Sequence, residues 1–130
     1  MTLGSLDYLY TPSRDVAADA AQLVHVLGGR LVFAIEDGGA RVAMVELGPA
    51  PPAIVLNDHL DGDRPILVYR VADLAETRSE LAARAWFPEH SLEIPQGPLL
   101  TFRTPGGQRL AVYELTRPFV LESFAGRRDF

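Results

Sequence analysis

The sequence predicts an α+β fold in which two βαβββ modules form a curved mixed sheet around a shared cup. A strand, a capped helix and a glycine-containing hairpin occur twice in this order, and the two helix-opening aspartates, Asp15 and Asp73, lie 58 positions apart. Self-similarity at a fixed period indicates repeated structural units. The chain of 130 residues is expected to form a single domain, residues 1–130, with module one at about 5–58, module two at about 64–115 and a C-terminal tail at 116–130. A generic α+β sandwich with a coincidental repeat is the alternative.

Module one opens with a β-prone run at residues 6–10, which a Thr-Pro-Ser turn ends. Asp15 is a suitable N-cap for the helix that follows. Apolar residues then recur at the three- and four-residue spacing of one helix face: Val16, Ala20, Leu23, Val24 and Leu27. Gly28 and Gly29 end this helix. Runs at 31–36 and 41–47 flank an Asp-Gly-Gly hairpin signal, and residues 53–57 predict one more strand.

Module two repeats this order of elements. Residues 65–71 predict a strand, and Asp73 with Glu76 resembles a capping box at the start of a second helix. The buried face of that helix is expected to hold four residues: Leu74, Thr77, Leu81 and Ala85. Residues 88–91 are expected to be a loop before a weak strand near Leu92. A final hairpin is predicted to join 99–104 to 108–115 around a Pro-Gly-Gly turn.

Composition excludes several kinds of chemistry. The chain has no cysteine, which removes disulfides, thiolate nucleophiles and cysteine-bound metals. It has no lysine for Schiff-base chemistry, and its net charge of −5 with 12 scattered arginines does not favour nucleic acid as a partner. Neither a signal peptide nor a membrane span is visible in the sequence, so we expect a cytoplasmic protein with no membrane partner.

Several segments together resemble the vicinal oxygen chelate superfamily, which includes glyoxalase I, bleomycin-resistance proteins and extradiol dioxygenases. They are Leu6-Asp7-Tyr8, Asp15 at a helix start, Val26-Leu27-Gly28 at its end, Val71-Ala72-Asp73-Leu74, and Thr104-Pro105-Gly106-Gly107-Gln108. The resemblance covers about residues 5–115, and it depends on the order and spacing of these segments. It implies the two-module cupped fold and a homodimer.

Metal-dependent members of that family take ligands, usually His and Glu, from the first and last strands of each module. The matching first-strand positions here are Tyr8 and Ile66, the last-strand position of module two falls near Ala111, and residues 53–56 contain no Glu, His or Asp. A shift of one residue turns a strand side chain to the opposite face and supplies no ligand set. The resemblance therefore implies a protein with no metal site and no cofactor.

Strand alternation and the family geometry together predict the residues that line the cup. The expected ligand-binding residues are Tyr8, Tyr10, Ile66, Val68, Arg70, Ala111 and Tyr113. Such a lining suits a flat or partly apolar ligand that a few hydrogen bonds orient. The same tyrosines serve equally well as core that fills the cup.

No catalytic residue can be assigned from the sequence. His25 and His90 are expected to lie at the surface, and His59, at a strand exit, is a candidate base only if the fold brings it to the cup. Glu36 and Glu46 flank the first hairpin, where solvated glutamates are common. The aromatic tail is expected to dock across the cup mouth or onto a partner chain.

Three functions follow from these observations. The first is metal-independent binding of a small molecule, as in the resistance-protein branch of the family. The second is a metal-dependent lyase, isomerase or dioxygenase with an unrecognised ligand set such as Asp7, His59 and Glu46. The third is an interaction module whose cup is filled by its own side chains.

Overall fold

The structure is a computed structural model that describes residues 2–130. Its elements follow the chain in this order: β1 Leu6–Pro12, α1 Val16–His25, β2 Arg30–Asp37, β3 Ala40–Glu46, β4 Ala53–Asn57, β5 Ile66–Val71, α2 Leu74–Ala83, β6 His90–Ile94, β7 Gly97–Arg103, β8 Arg109–Glu114 and a short 3₁₀ helix Val120–Ser123. No helix of the described chain is long and apolar enough to cross a membrane.

The eight strands form one mixed sheet in the order β2-β3-β4-β1-β5-β8-β7-β6. The first strands of the two modules, β1 and β5, pair antiparallel at its centre, and each pairs parallel with the last strand of its own module, β4 or β8. The two halves thus repeat the same order outward from the centre. The predicted α+β class and the two-module curved sheet are confirmed.

Both helices begin where the aspartates predict. A side-chain oxygen of Asp15 accepts a hydrogen bond from the N–H of Ala18, and Asp73 accepts one from the N–H of Glu76, so each satisfies a backbone donor that the first turn leaves unpaired. Gly28 adopts φ +74 after α1, a conformation that a β-carbon would strain.

Each helix packs on the convex face of its own half of the sheet. Val16 and Ala20 of α1 meet residues of β2, β3 and β4, while Leu74 and Leu81 of α2 meet residues of β7 and β8. Burying these apolar faces leaves the concave face of the sheet free to form the cup. Two further apolar clusters lie on the concave face, one in each half, and Tyr8 and Tyr10 of the central strand contact both.

Three predictions about element ends were wrong. Leu27 lies beyond the end of α1 and is exposed, and Ala85 lies beyond the end of α2 with φ 61 and is also exposed. Both continue the apolar spacing past the last helical turn, which periodicity alone does not detect. The predicted loop at 88–91 overlaps β6, which begins at His90, because pairing with β7 extends the edge strand beyond its apolar residues.

The tail covers the outer edge of the sheet. Ala34 of β2 donates its N–H to the carbonyl of Arg127 and accepts from the N–H of Asp129, at 2.8 and 2.7 Å. The aromatic ring of Phe130 reaches the convex side, where it packs on the α1 cluster. The tail thus docks on its own chain, and it protects an edge strand that would otherwise be free to pair with another chain.

Candidate functional site: the cup on the concave face

The concave face encloses a cavity of about 710 Å³. All eight strands contribute lining residues, for example Phe33 of β2, Val55 of β4 and Leu99 of β7. Leu121 and Phe124 of the tail complete the wall on the module-one side, and the ring centroids of Phe33 and Phe124 lie 6.0 Å apart. The volume lies in the range of small-molecule sites, and the lining is mainly apolar, as such sites usually are.

The structure brings five of the seven predicted ligand-binding residues to the cavity wall: Tyr8, Tyr10, Ile66, Val68 and Ala111. Arg70 and Tyr113 do not line it. Tyr113 lies beside Tyr8, with ring centroids 5.9 Å apart, and its hydroxyl turns away to Asp7. A ligand contact of any of the seven remains a prediction.

Asp7 is the centre of a closed polar network at one end of β1. Its carboxylate accepts a hydrogen bond from the hydroxyl of Tyr113 at 2.5 Å and one from Ser5 at 2.5 Å, and Arg70 Nε lies 3.3 Å away. A shift in the β1–β5 register between Leu6 and Tyr8 leaves Asp7 without a partner position on β5. Such a bulge redirects side chains, and here it accompanies the turn of a carboxylate toward Tyr113.

This network serves structure. Asp7 is 8% exposed and Tyr113 is 1% exposed, so a buried charge and a buried hydroxyl satisfy each other. Burial, followed by the hydrogen bond to Asp7, raises the pKa of the Tyr113 hydroxyl well above its usual value. The Tyr113 hydroxyl thus donates its hydrogen bond to Asp7, and neither side chain reaches the cavity to contact a ligand.

A second polar group lies at the other end of β1 and faces the cavity. The Tyr10 hydroxyl and His59 Nε2 are 2.9 Å apart, and both residues line the cavity. Burial raises the pKa of the Tyr10 hydroxyl, which keeps this group protonated. The fold thus satisfies the condition under which His59 was a candidate base. His90, expected at the surface, is also at the cavity wall.

One buried polar atom of the cavity has no partner. Within residues 2–130, the hydroxyl of Thr101 finds no hydrogen bond, although this residue is only 8% exposed and lines the cavity. It lies on β7, opposite Ala111 of β8. The hydroxyl oxygen itself has less than 1 Å² of exposed surface, so it is enclosed within the wall and does not face the open cavity.

The residues do not form the metal site that the superfamily implies. The positions expected to hold ligands carry Tyr8, Ile66 and Ala111, and the cavity-lining residue of β4 is Val55. In the described part of the chain, no three His, Asp or Glu side chains group closely enough to hold a metal ion. Aliphatic side chains supply no metal ligand, and a phenol is a poor one for divalent ions that prefer imidazole and carboxylate.

The alternative ligand set is dispersed among separate contacts. Asp7 binds Tyr113, His59 meets Tyr10, and Glu46 forms an ion pair with Arg30 across the β2–β3 pair. Glu36 likewise lies 3.7 Å from Arg41 in the same pair of strands. The two hairpin glutamates therefore hold strands together at the surface.

Sequence reasoning missed Thr101, His90 and Phe33 as parts of the cavity wall. Thr101 lies two residues after Leu99 on β7, so strand alternation puts both on the same face of the sheet. The aromatic tail was expected to dock across the cup mouth or onto a partner chain, and its residues Leu121 and Phe124 lie at the cavity wall.

A two-module sheet curved around a cavity, with one helix behind each half, is the fold that the resemblance found in the sequence implies. Solved structures share this fold. The chain is similar to methylmalonyl-CoA epimerase from Mycobacterium tuberculosis, with 19% identity over 92% of this chain and 95% of that one at a TM-score of 0.71. It is also similar to the Streptomyces coelicolor epimerase in complex with 2-nitronate-propionyl-CoA, at 11% identity, 89% and 97% coverage and a TM-score of 0.72.

A third similar structure is a catechol 2,3-dioxygenase, at 18% identity and a TM-score of 0.66. The match covers 88% of this chain and 42% of the dioxygenase chain. At these identities the likeness shows the fold, and the resemblance predicted from the sequence is confirmed at that level. No protein-family model matches the chain, and no curated protein does.

Proposed function

We propose that this protein binds a small organic ligand in the cavity without a metal ion. The ligand is flat and mainly apolar, and it carries one or two groups that form hydrogen bonds. An apolar cavity of about 710 Å³ supports this size and character. Polar lining side chains then orient the ligand, with Tyr10 and His59 at one end of β1.

The size and the lining of the cavity carry the proposal. A space of about 710 Å³ that apolar side chains of all eight strands surround can hold a small organic ligand. The Tyr10 hydroxyl and the His59 imidazole at its wall are polar groups that can orient such a ligand.

The two other functions fit less well. A metal-dependent enzyme needs ligands that converge within about 2.0–2.2 Å of one ion, whereas Asp7, His59 and Glu46 engage separate partners. An interaction module with a filled cup would have no cavity of this size. The solved epimerases and the dioxygenase keep enzymatic activity as a second candidate, and the cavity pair of Tyr10 and His59 is the observation that favours it.

A thermal-shift screen tests the proposal, because a ligand that binds only the folded state raises the apparent melting temperature by mass action. The panel contains phenols such as 4-nitrophenol, aromatic acids, and methylmalonyl-CoA, which is bound in one structure of similar fold. We expect at least one aromatic compound to stabilise the wild-type protein, and the Tyr10→Phe variant to respond less.

Metal analysis tests the second function, a metal-dependent enzyme. The protein is incubated with zinc, nickel, manganese and iron in their divalent forms, dialysed, and analysed for its elements. We expect less than one tenth of an equivalent of each metal, where a working site would retain about one. Stoichiometric metal would overturn the metal-independent proposal, and an absence of stabilisation by every compound of the panel would overturn ligand binding.

A further inference from the structure

Tyr10 and His59 lie where a proton can pass between the cavity and the solvent. Tyr10 is part of the central strand and packs among apolar residues of both halves, whereas His59 lies at the mouth and is exposed. Their side chains meet at 2.9 Å between the phenolic oxygen and Nε2. A ligand in the cavity can reach Tyr10, and water can reach His59.

The loop that carries His59 is fixed by hydrogen bonds on both sides of that residue. Asn57, which is fully buried, accepts a hydrogen bond from the N–H of Leu60 at 2.8 Å and donates to the carbonyl of Thr11 at 3.3 Å. Asp58 accepts one from the N–H of Arg41 at 3.0 Å. Farther along, Arg109 donates to the carbonyls of Asp61 and Arg64.

A turn exposed to solvent does not need this many long-range hydrogen bonds to its neighbours. A histidine on a loop that long-range hydrogen bonds hold in place is preorganised toward its partner, which is the condition for efficient proton transfer. The contacts come from β1, β3 and β8, so elements of both modules fix the segment that joins them.

The cationic side chains at the cavity wall already have partners. Arg103 pairs with Glu89 at 2.8 Å, and both terminal nitrogens of Arg109 donate to backbone carbonyls. Four carboxylates also line the cavity: Asp37, Asp61, Glu89 and Glu93. What distinguishes the Tyr10–His59 pair is that a hydroxyl at the cavity wall contacts an exposed imidazole, so a proton from a ligand can reach the solvent through it.

We infer that Tyr10 and His59 form a two-residue proton relay for a ligand with an acidic hydroxyl, a phenol or an enol, which the cavity binds as its anion. The inference rests on the proposed function. The O–H bond of the ligand breaks and its proton goes to the phenolic oxygen of Tyr10. At the same time the Tyr10 O–H bond breaks and that proton goes to Nε2 of neutral His59. The products are a ligand anion, an intact tyrosine and an imidazolium at the mouth.

The charges and bonds of this step balance without a co-reactant. Tyr10 ends as a hydroxyl that donates to the anion, and its oxygen accepts a hydrogen bond from His59, so the chain of hydrogen bonds is retained with its direction reversed. Burial raises the pKa of the Tyr10 hydroxyl, so the neutral phenol is favoured over the phenolate. A relay residue needs this property, because it must regain a proton whenever it gives one up. Histidine is the side chain whose charge changes most readily near neutral pH.

The test uses 4-nitrophenol, whose anion is yellow and whose neutral form is not. The full-length protein is titrated to saturation at a pH equal to the pKa of the free probe, where about half of the free probe is ionised and an ordinary histidine is mostly neutral. In the wild-type protein we expect the ionised fraction of bound probe to rise from about half to about nine tenths. In Tyr10→Phe and in His59→Gln we expect that rise to be lost at saturation.

Two matched variants serve as controls. Tyr69 faces the α2 cluster and His25 is exposed at the end of α1, so Tyr69→Phe and His25→Gln should retain the full rise. A third variant, His90→Gln, replaces the other histidine of the cavity wall and tests whether that imidazole takes the proton in place of His59.

The outcomes separate the relay from the binding function. If the wild-type protein binds the probe, as measured by thermal shift, and leaves it neutral, the relay is wrong while ligand binding stands. The relay is equally wrong if the anion persists in either Tyr10→Phe or His59→Gln, or depends on His90 instead. If 4-nitrophenol and the rest of the panel do not bind at all, the proposed function fails first.

Discussion

At each end of β1, a tyrosine hydroxyl is hydrogen-bonded to a titratable side chain: Tyr113 to Asp7 at one end, and Tyr10 to His59 at the other. The first pair is enclosed within the fold, and the second faces the cavity. Tyr113 donates to Asp7 inside a network that Ser5 and Arg70 complete, and no member of it lines the cavity. Tyr10 meets His59 at the cavity wall. A buried polar group that is fully paired within the chain stabilises the fold, whereas one that faces a cavity is available to a ligand.

This comparison shows that residue type does not separate core tyrosines from site tyrosines. Tyr10 belongs to β1 and Tyr113 to β8, and burial raises the hydroxyl pKa of both tyrosines. The two tyrosines differ in the backbone beside them. A bulge of β1 turns Asp7 toward Tyr113, whereas the loop that hydrogen bonds fix in place holds His59 beside Tyr10. If the two ends differ in this way, substitutions there should affect stability and binding differently.

The largest effect is expected from Asp7→Ala. The change removes the acceptor of a buried hydroxyl and leaves Arg70 without its partner, so we expect the free energy of unfolding in urea to fall by about 3 kcal/mol. The control is Asp58→Ala, which removes an exposed carboxylate that accepts one backbone N–H, and should cost less than about 1 kcal/mol. Equal losses in the two variants would contradict a structural role specific to Asp7.

Tyr113→Phe and Tyr10→Phe make the same chemical change at the two ends. Tyr113→Phe deletes a buried hydrogen bond to a charged group and should lower the free energy of unfolding by about 2 kcal/mol. Tyr10→Phe deletes a bond to an exposed histidine and should cost at most about 0.5 kcal/mol. Urea unfolding of both variants measures the difference, and a reversed order would break the distinction between the two ends.

Thr101→Val is expected to stabilise the protein. Loss of an unpaired buried hydroxyl should raise the free energy of unfolding by about 1 kcal/mol. Thr77 offers a matched control, because it is similarly buried but donates to the carbonyl of Asp73 at 2.9 Å. Thr77→Val should therefore destabilise the protein by about 1 kcal/mol.

The smallest effect concerns alkaline pH. The folded pKa of Tyr113 is raised, so above the ordinary tyrosine value of about pH 10 the unfolded state loses this proton first. Stability from this group is thus complete below about pH 10 and is lost as the pH rises. The loss is about 0.4 kcal/mol at that pH and steepens beyond it. Urea unfolding of wild type and Tyr113→Phe from pH 8 to 11 isolates this contribution, since the variant should lose less stability over the same range.

Regular strands carry five of the seven residues that were expected to bind a ligand to the cavity wall. Tyr8, Tyr10, Ile66, Val68 and Ala111 alternate with helix-facing residues, so the pleat alone placed them on one face. The same rule put Tyr113 on the cup side, but it carried no information on which way the hydroxyl turns. Arg70 was expected at the cavity for the same reason, and its pairing with Asp7 removes it from the wall.

Local chemistry in the sequence determined the elements and their repetition. The aspartate caps act on N–H groups three residues away, and the glycine hairpins close between neighbouring strands. Only the tertiary structure decided the site. Tyr10 and His59 are 49 residues apart, Asp7 and Tyr113 are 106 apart, and the tail reaches β2 from the far end of the chain. Such contacts depend on strand order, on one bulge and on loop placement, which no short window of sequence encodes.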